Sequence, residues 1–72
     1  MTKREAAKLQ AIYNDKRALF ESAYSLVESD NEENRALFSK LSKDYWRECR
    51  TMEDIAKTVF GIDLYAEYLR TI

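Results

Sequence analysis

The chain has 72 residues, a net charge of −1, one cysteine and neither histidine nor proline. A single cysteine excludes an internal disulfide, and without histidine or a cysteine pair the common zinc and copper ligand sets are absent. At 46% hydrophobic and 35% charged residues, this small acidic protein has a globular composition, and the scarcity of glycine and proline favours helices over strands. We therefore expect one all-α domain that spans residues 1–72.

The first predicted helix covers residues 2–27. Its large apolar side chains recur at steps of three and four residues, which is the period of one helix face. They are Leu9, Ile12, Tyr13, Leu19, Phe20, Leu26 and Val27. Lys16 interrupts this face near its middle.

A polar connection follows the first helix. Residues 28–34 contain no large apolar side chain, and either Ser29 or Asp30, each with a glutamate three positions later, would form a capping box. We expect the second helix over residues 32–50. Its apolar face holds Leu37, Phe38, Leu41, Tyr45 and Cys49. A short connection between two long helices predicts an antiparallel hairpin.

Lys16 and Glu48 both lie toward the apolar faces of their helices. In a hairpin that turns near residue 31 they are level with each other, so an ion pair within the chain would satisfy both charges. The alternative is a pair across the seam of a homodimer, in which two chains complete a four-helix core.

Two short helices are predicted after the hairpin. Thr51 would cap the third helix, over residues 52–60, and Gly61 is the expected left-handed residue that ends it. Asp63 would then cap the fourth helix, over residues 63–71. Both helices are too short to be stable alone, so we expect them to pack on the hairpin and form a small helical bundle.

The second helix carries a basic stripe, at spacings that place its cations on one side, opposite the apolar face. The stripe consists of Lys40, Lys43, Arg47 and Arg50. Trp46 lies at its edge, and tryptophan and arginine are enriched at interface hot spots. Further candidates for an interface edge are Tyr24, Tyr65 and Tyr68, with packing in the core as the favoured alternative for most of them. The alternative is a solvated face with neutralising pairs, Lys40 with Asp44 and Arg50 with Asp54, while a C-terminal helix covers Trp46.

Residues 54–63 resemble the first helix and turn of a helix-turn-helix motif, over about 20 residues with the helix that follows. Ala56 precedes Gly61 by five positions, where that family has four. The would-be recognition helix begins at Asp63 and has one basic side chain against two acidic ones, so it offers few groups to bases or phosphates. The resemblance implies a nucleic-acid-associated regulator as an alternative function.

The sequence contains no catalytic set, since it lacks a histidine base and a glycine-rich phosphate loop. We expect no enzyme activity, cofactor or metal. The leading hypothesis is a small interaction module that binds a protein partner stoichiometrically, as an adaptor, inhibitor or subunit of the kind that phages and plasmids encode. No signal-peptide core is present at the start, and no apolar run approaches the roughly 18 residues that span a bilayer. We therefore expect a cytoplasmic protein without membrane contact.

Overall fold

A computed structural model describes all 72 residues and has the form of an antiparallel helical hairpin with a short helix against one face. Helix α1 covers Lys3–Ser25 and continues into a 3₁₀ turn at Leu26–Glu28, while α2 covers Glu32–Ile55 and α3 covers Leu64–Leu69. The Cα atoms extend over 45 × 22 × 15 Å. No residue is in a strand, so the predicted all-α class and the long hairpin are confirmed.

The connection between α1 and α2 is shorter than predicted. The 3₁₀ turn at Leu26–Glu28 prolongs α1, and the cap of α2 is Asn31, whose side-chain oxygen accepts the Asn34 N–H at 3.1 Å. The prediction of Ser29 or Asp30 as the cap was wrong. Ser29, Asp30 and Asn31 are all residue types that commonly occupy the N-cap position. The 3₁₀ turn extends α1 to Glu28, and α2 begins at Glu32 with Asn31 as its cap.

Helix α2 continues past Arg50, so the predicted break at Thr51 was wrong. The Thr51 hydroxyl donates to the carbonyl oxygen of Arg47 at 2.9 Å, a bond that satisfies threonine inside a helix. No glycine or proline interrupts the chain at this point. The segment predicted as a separate helix, residues 52–60, therefore has no break before it: residues 52–55 end α2, and the π-helical turn Ala56–Phe60 continues directly from it.

The chain reverses through two residues that the sequence indicated. Gly61 has a left-handed backbone with φ 66°, and its N–H donates to the Lys57 carbonyl at 3.2 Å. Asp63 caps α3 by accepting the Ala66 N–H at 3.1 Å. Both predictions are confirmed, and together these residues direct α3 back onto the hairpin.

Helix α3 packs on α1. Gln10 Nε2 donates to the Leu64 carbonyl and the Tyr68 hydroxyl donates to Glu21, both at 2.9 Å. The Tyr68 ring stacks on Tyr13 with centroids 6.2 Å apart, so Tyr68 is buried in the core and does not belong to an interface edge. The residues buried in the whole chain number seven: Tyr13, Ala23, Ser42, Cys49, Ala56, Leu64 and Tyr68. The core is therefore thin, and much apolar surface stays exposed.

Candidate functional site

The basic stripe lies on the solvent side of α2, and all of its cations are exposed. Three of its members lie within 4.0 Å of no carboxylate and so form no ion pair; they are Lys40, Lys43 and Arg47. Charged side chains without a partner on their own chain are free to meet an anionic group on another molecule.

The neutralising pairs predicted for this stripe are not formed, so that expectation was wrong. Lys40 does not pair with Asp44, and Arg50 does not pair with Asp54. Arg50 Nη1 instead lies 3.8 Å from Glu53 Oε1, because a hydrogen bond from α1 holds the Glu53 carboxylate on that side. The stripe consequently keeps most of its positive charge.

Trp46 is half exposed, at 50%. Helix α3 does not cover it, which decides between the two placements that the sequence left open. The guanidinium carbon of Arg50 lies 5.8 Å from the centroid of the indole ring, a cation–π contact. This contact links the only tryptophan of the chain to the stripe, so the aromatic and basic groups form one surface.

A groove with a volume of about 480 Å³ lies beside Trp46, between α1 and α2. It is termed the α1–α2 groove, and it is lined by Phe20, Tyr24, Val27, Ser39, Ser42, Lys43, Trp46 and Arg47. Four of these eight are large apolar or aromatic side chains, two are cations and none is a carboxylate. An apolar floor with a basic edge complements an apolar side chain that has carboxylates beside it.

Helix α3 leaves this part of the hairpin face uncovered. Hydrogen bonds join α3 to α1 at Gln10 and Glu21, but no residue of α3 lines the groove. On α2, two small residues, Ser39 and Ser42, leave the space open. The Ser42 hydroxyl is satisfied within its own helix, since it donates to the Ser39 carbonyl at 2.9 Å.

Arg17 positions the end of the groove that adjoins α3. Its guanidinium carbon lies 5.1 Å from the ring centroid of Phe20 and 4.7 Å from that of Tyr65, so one cation links the groove to α3. The side chain is 16% exposed, and carboxylate oxygens of Glu21 and Glu53 lie 3.5 Å and 4.0 Å from its nitrogens. These two carboxylates compensate its charge, although the buried Nε of Arg17 forms no hydrogen bond.

Sequence reasoning missed the α1 half of the groove. Phe20 and Val27 were assigned to the apolar face of the first helix alone, and only Tyr24, which is 65% exposed, was named as an interface candidate. Their spacing of four and three residues places all three on one side of α1, which is the signal that could have identified them.

The predicted ion pair between Lys16 and Glu48 is confirmed within one chain. Lys16 Nζ donates to Glu48 Oε2 at 2.6 Å, and the two side chains are 35% and 50% exposed. The hydrogen bond raises the pKa of Lys16. Glu48 follows Trp46 by two positions, about 200° around α2, so this pair lies on the side of the hairpin away from the groove.

The buried polar groups hold the helices together. The Tyr13 hydroxyl donates to Glu53 Oε2 at 2.9 Å, and burial together with this hydrogen bond raises the pKa of Tyr13. Burial also raises the pKa of the Cys49 thiol, which disfavours its nucleophilic thiolate form. No cluster of three histidine, cysteine or acidic side chains is arranged to hold a metal ion.

No family model, curated protein or solved structure matches this chain. None of its helices combines the length and the apolar character that crossing a membrane requires. The surface chemistry of the chain is therefore the basis for its proposed function.

Proposed function

We propose that the chain is a small non-catalytic interaction module that binds an acidic, partly apolar segment of a protein partner in the α1–α2 groove. The partner's apolar side chain contacts Trp46, and flanking carboxylates pair with Lys43 and Arg47. The module acts stoichiometrically, as an adaptor, inhibitor or subunit, in the cytoplasm.

The observation that carries this proposal is the combination of an exposed aromatic ring and unpaired cations on one groove. Trp46 is 50% exposed beside Lys43 and Arg47, neither of which has an ion-pair partner. Aromatic side chains supply most of the binding energy at hot spots, whereas charges at the rim fix orientation and accelerate association. Trp46 is therefore the expected anchor, with the two cations selecting an acidic partner.

The apolar floor of the groove favours a protein partner over a nucleic acid. The alternative nucleic-acid-associated regulator would use the basic stripe alone, since α3 buries Leu64 and Tyr68 and pairs its cation, Arg70, with Glu67 at 3.0 Å. Neutralisation of phosphates by three unpaired cations would give an affinity with a steep logarithmic salt slope of roughly −2 to −3. An interface centred on Trp46 would depend on salt less strongly.

The test is a display selection of random peptides of about 15 residues on the wild-type protein, an ample length to cross one interface. Peptides that also bind Trp46→Ala are removed by counter-selection. We expect the enriched peptides to carry a large apolar residue flanked by aspartate or glutamate. Their affinity, measured by calorimetry, should fall at least tenfold, about 1.4 kcal/mol, in Trp46→Ala and in Lys43→Glu/Arg47→Glu.

The matched control is Lys3→Glu/Lys8→Glu, which changes the net charge by the same amount at exposed positions on α1 outside the groove. This control should bind the selected peptides within about twofold of wild type. Equal weakening in the control would mean that net charge rather than the groove drives binding. Single-stranded DNA that binds more tightly than any peptide, with the steep salt slope, would favour the regulator.

A further inference from the structure

The face of the hairpin opposite α3 and the groove is uncovered and combines exposed apolar side chains with a few charges. On α1, Gln10 and Arg17 contact α3, and each is followed two positions later by an apolar residue, Ile12 or Leu19. Two positions are about 200° around a helix, so these side chains point away from α3. Ile12 is 52% exposed and Leu19 is 48% exposed.

Helix α2 contributes a mixed row on the same side. Leu37 and Ile55 are five whole turns apart, and both are more than half exposed. The exposed carboxylates of Asp44 and Glu48 lie between them. Glu48 lies two turns before Ile55 and pairs with Lys16 of α1, which shows that the two rows border one face. This second face is defined by Ile12, Leu19, Leu37 and Ile55 around the Lys16–Glu48 pair.

The amount of exposed surface matches the needs of a dimer. The chain exposes 5513 Å² for a mass of 8.5 kDa, whereas a compact monomer of that mass exposes roughly 4,700 Å². The excess of roughly 800 Å² belongs to the whole elongated chain, and it is of the size that one partner contributes to a standard stable interface. The second face, which α3 does not cover, is one part of this open surface.

The charges on the second face are arranged so that the face complements itself. Rotation about a two-fold axis parallel to the helices leaves the position of each residue along the bundle unchanged. It places α1 of the second copy opposite α2 of the first, and α2 opposite α1. Lys16 therefore faces Glu48 of the second copy, while Glu48 faces Lys16 of that copy, as an isologous interface requires. The same rotation sets α1 against α2 of the second copy in antiparallel direction, so the apolar rows meet in a four-helix bundle.

We infer that the second face binds a second copy of this chain, forming a two-fold symmetric four-helix dimer in which the Lys16–Glu48 pairs of the two copies meet at its centre. This inference goes beyond the proposed function, because the dimer buries the side of the hairpin away from Trp46. The dimer presents two α1–α2 grooves outward in opposite directions, so one assembly holds two partner segments.

The first experiment is sedimentation equilibrium from about 1 µM to about 200 µM, since self-association depends on concentration. Wild type should reach twice 8.5 kDa. Ile12→Asp/Leu19→Asp should stay monomeric to the highest concentration, with at least a hundredfold weaker association. The matched control is Trp46→Ala, whose exposed side chain lies on the groove side, and it should dimerise as wild type does. Far-ultraviolet circular dichroism checks that every variant stays helical.

A charge-exchange experiment separates pairing across the interface from pairing within the chain. Lys16→Glu and Glu48→Lys each place like charges beside one another, so each variant alone should be monomeric. An equimolar mixture should form a heterodimer, because the two acidic groups of one chain then meet the two lysines of the other. Mixing cannot restore a pair within either chain, so only contact across the interface explains recovery.

Three outcomes would overturn the inference: a wild type of 8.5 kDa at every concentration, dissociation by Trp46→Ala instead of the second-face variant, or a charge-exchange mixture that stays monomeric. Peptide binding to the groove is measured on the same variants. If the protein does not dimerise but still binds the peptides, only the second-face inference is refuted. If it dimerises but does not bind the peptides, only the proposed function is refuted.

Discussion

Replacement of Tyr13 by phenylalanine tests whether one buried hydrogen bond stabilises the packing of α1 on α2. The Tyr13 ring has no exposed surface, and its hydroxyl donates to the Glu53 carboxylate at 2.9 Å. Phenylalanine keeps the ring and its stack on Tyr68, so the change removes the hydrogen bond alone. A hydrogen bond to a charged group contributes about 1.5–3 kcal/mol.

The expected loss lies in the lower half of that range, about 2 kcal/mol, because Glu53 retains contact with Arg17 at 4.0 Å and Arg50 at 3.8 Å. In a domain of this size such a loss lowers Tm by roughly 10 °C. Thermal and urea denaturation followed by circular dichroism at fixed protein concentration measure it. Tyr24→Phe is the control, since the Tyr24 hydroxyl is exposed and forms no hydrogen bond with the protein.

The same variant has an alkaline signature. Because the pKa of Tyr13 is raised in the folded state, the stabilisation is complete below the ordinary tyrosine pKa of about 10 and is lost as pH rises above it. Stability of Tyr13→Phe should therefore decline less steeply than that of wild type above about pH 10. Equal Tm values for Tyr13→Phe and Tyr24→Phe, or an unchanged alkaline slope, would refute the reasoning.

Three further predictions concern the turn before α3 and the buried thiol. Gly61→Ala should lower the free energy of unfolding, measured by urea denaturation, by about 1 kcal/mol. The left-handed backbone is the only source of strain, because no atom lies within 4 Å of an added Cβ. A loss above about 3 kcal/mol would indicate a steric clash instead. Asp63→Ala should cost about 1 kcal/mol by removing the cap of α3, whereas Asp63→Asn should retain most of that stability; identical loss in both would argue against capping. Cys49, fully buried with a raised pKa, should react with a thiol reagent only as fast as the protein opens; rapid modification of the native protein would contradict its burial.

The hairpin could be predicted from sequence because its information is local and periodic. Apolar residues at three- and four-residue steps define both helix faces, and a short polar connection fixes their antiparallel arrangement. The position of the turn in this arrangement places Lys16 opposite Glu48. The ion pair between these two residues, which are far apart in sequence, could therefore be predicted. Gly61 and Asp63 were equally accessible, since each residue type has one strongly preferred role at a helix end.

The error at Thr51 arose because a capping residue is not sufficient to begin a helix. Threonine is also stable inside a helix when its hydroxyl bonds to the carbonyl four residues earlier, and here it bonds to Arg47. The apolar face moreover continues through Cys49, Met52 and Ala56 at steps of three and four. That continuity outweighs the capping signal, and it could have indicated an unbroken helix.

The groove depends on tertiary packing that the sequence does not specify locally. Whether Trp46 is covered depends on where α3 lies, and the Tyr13–Tyr68 stack and the Gln10 hydrogen bond determine that position. Neither contact follows from a helical periodicity. The helical periodicity predicts which residues share a face of the hairpin, whereas the position of α3 determines how much of that face remains exposed.

Trp46 also gives the protein a built-in optical reporter. It is the only indole in the chain, and its half exposure on the groove side means that its emission responds to the polarity of that surface. Occupation of the groove by an apolar side chain would shift the emission to shorter wavelength, while association through the opposite face leaves the ring in water. Unlabelled protein can therefore report the state of one surface without interference from the other.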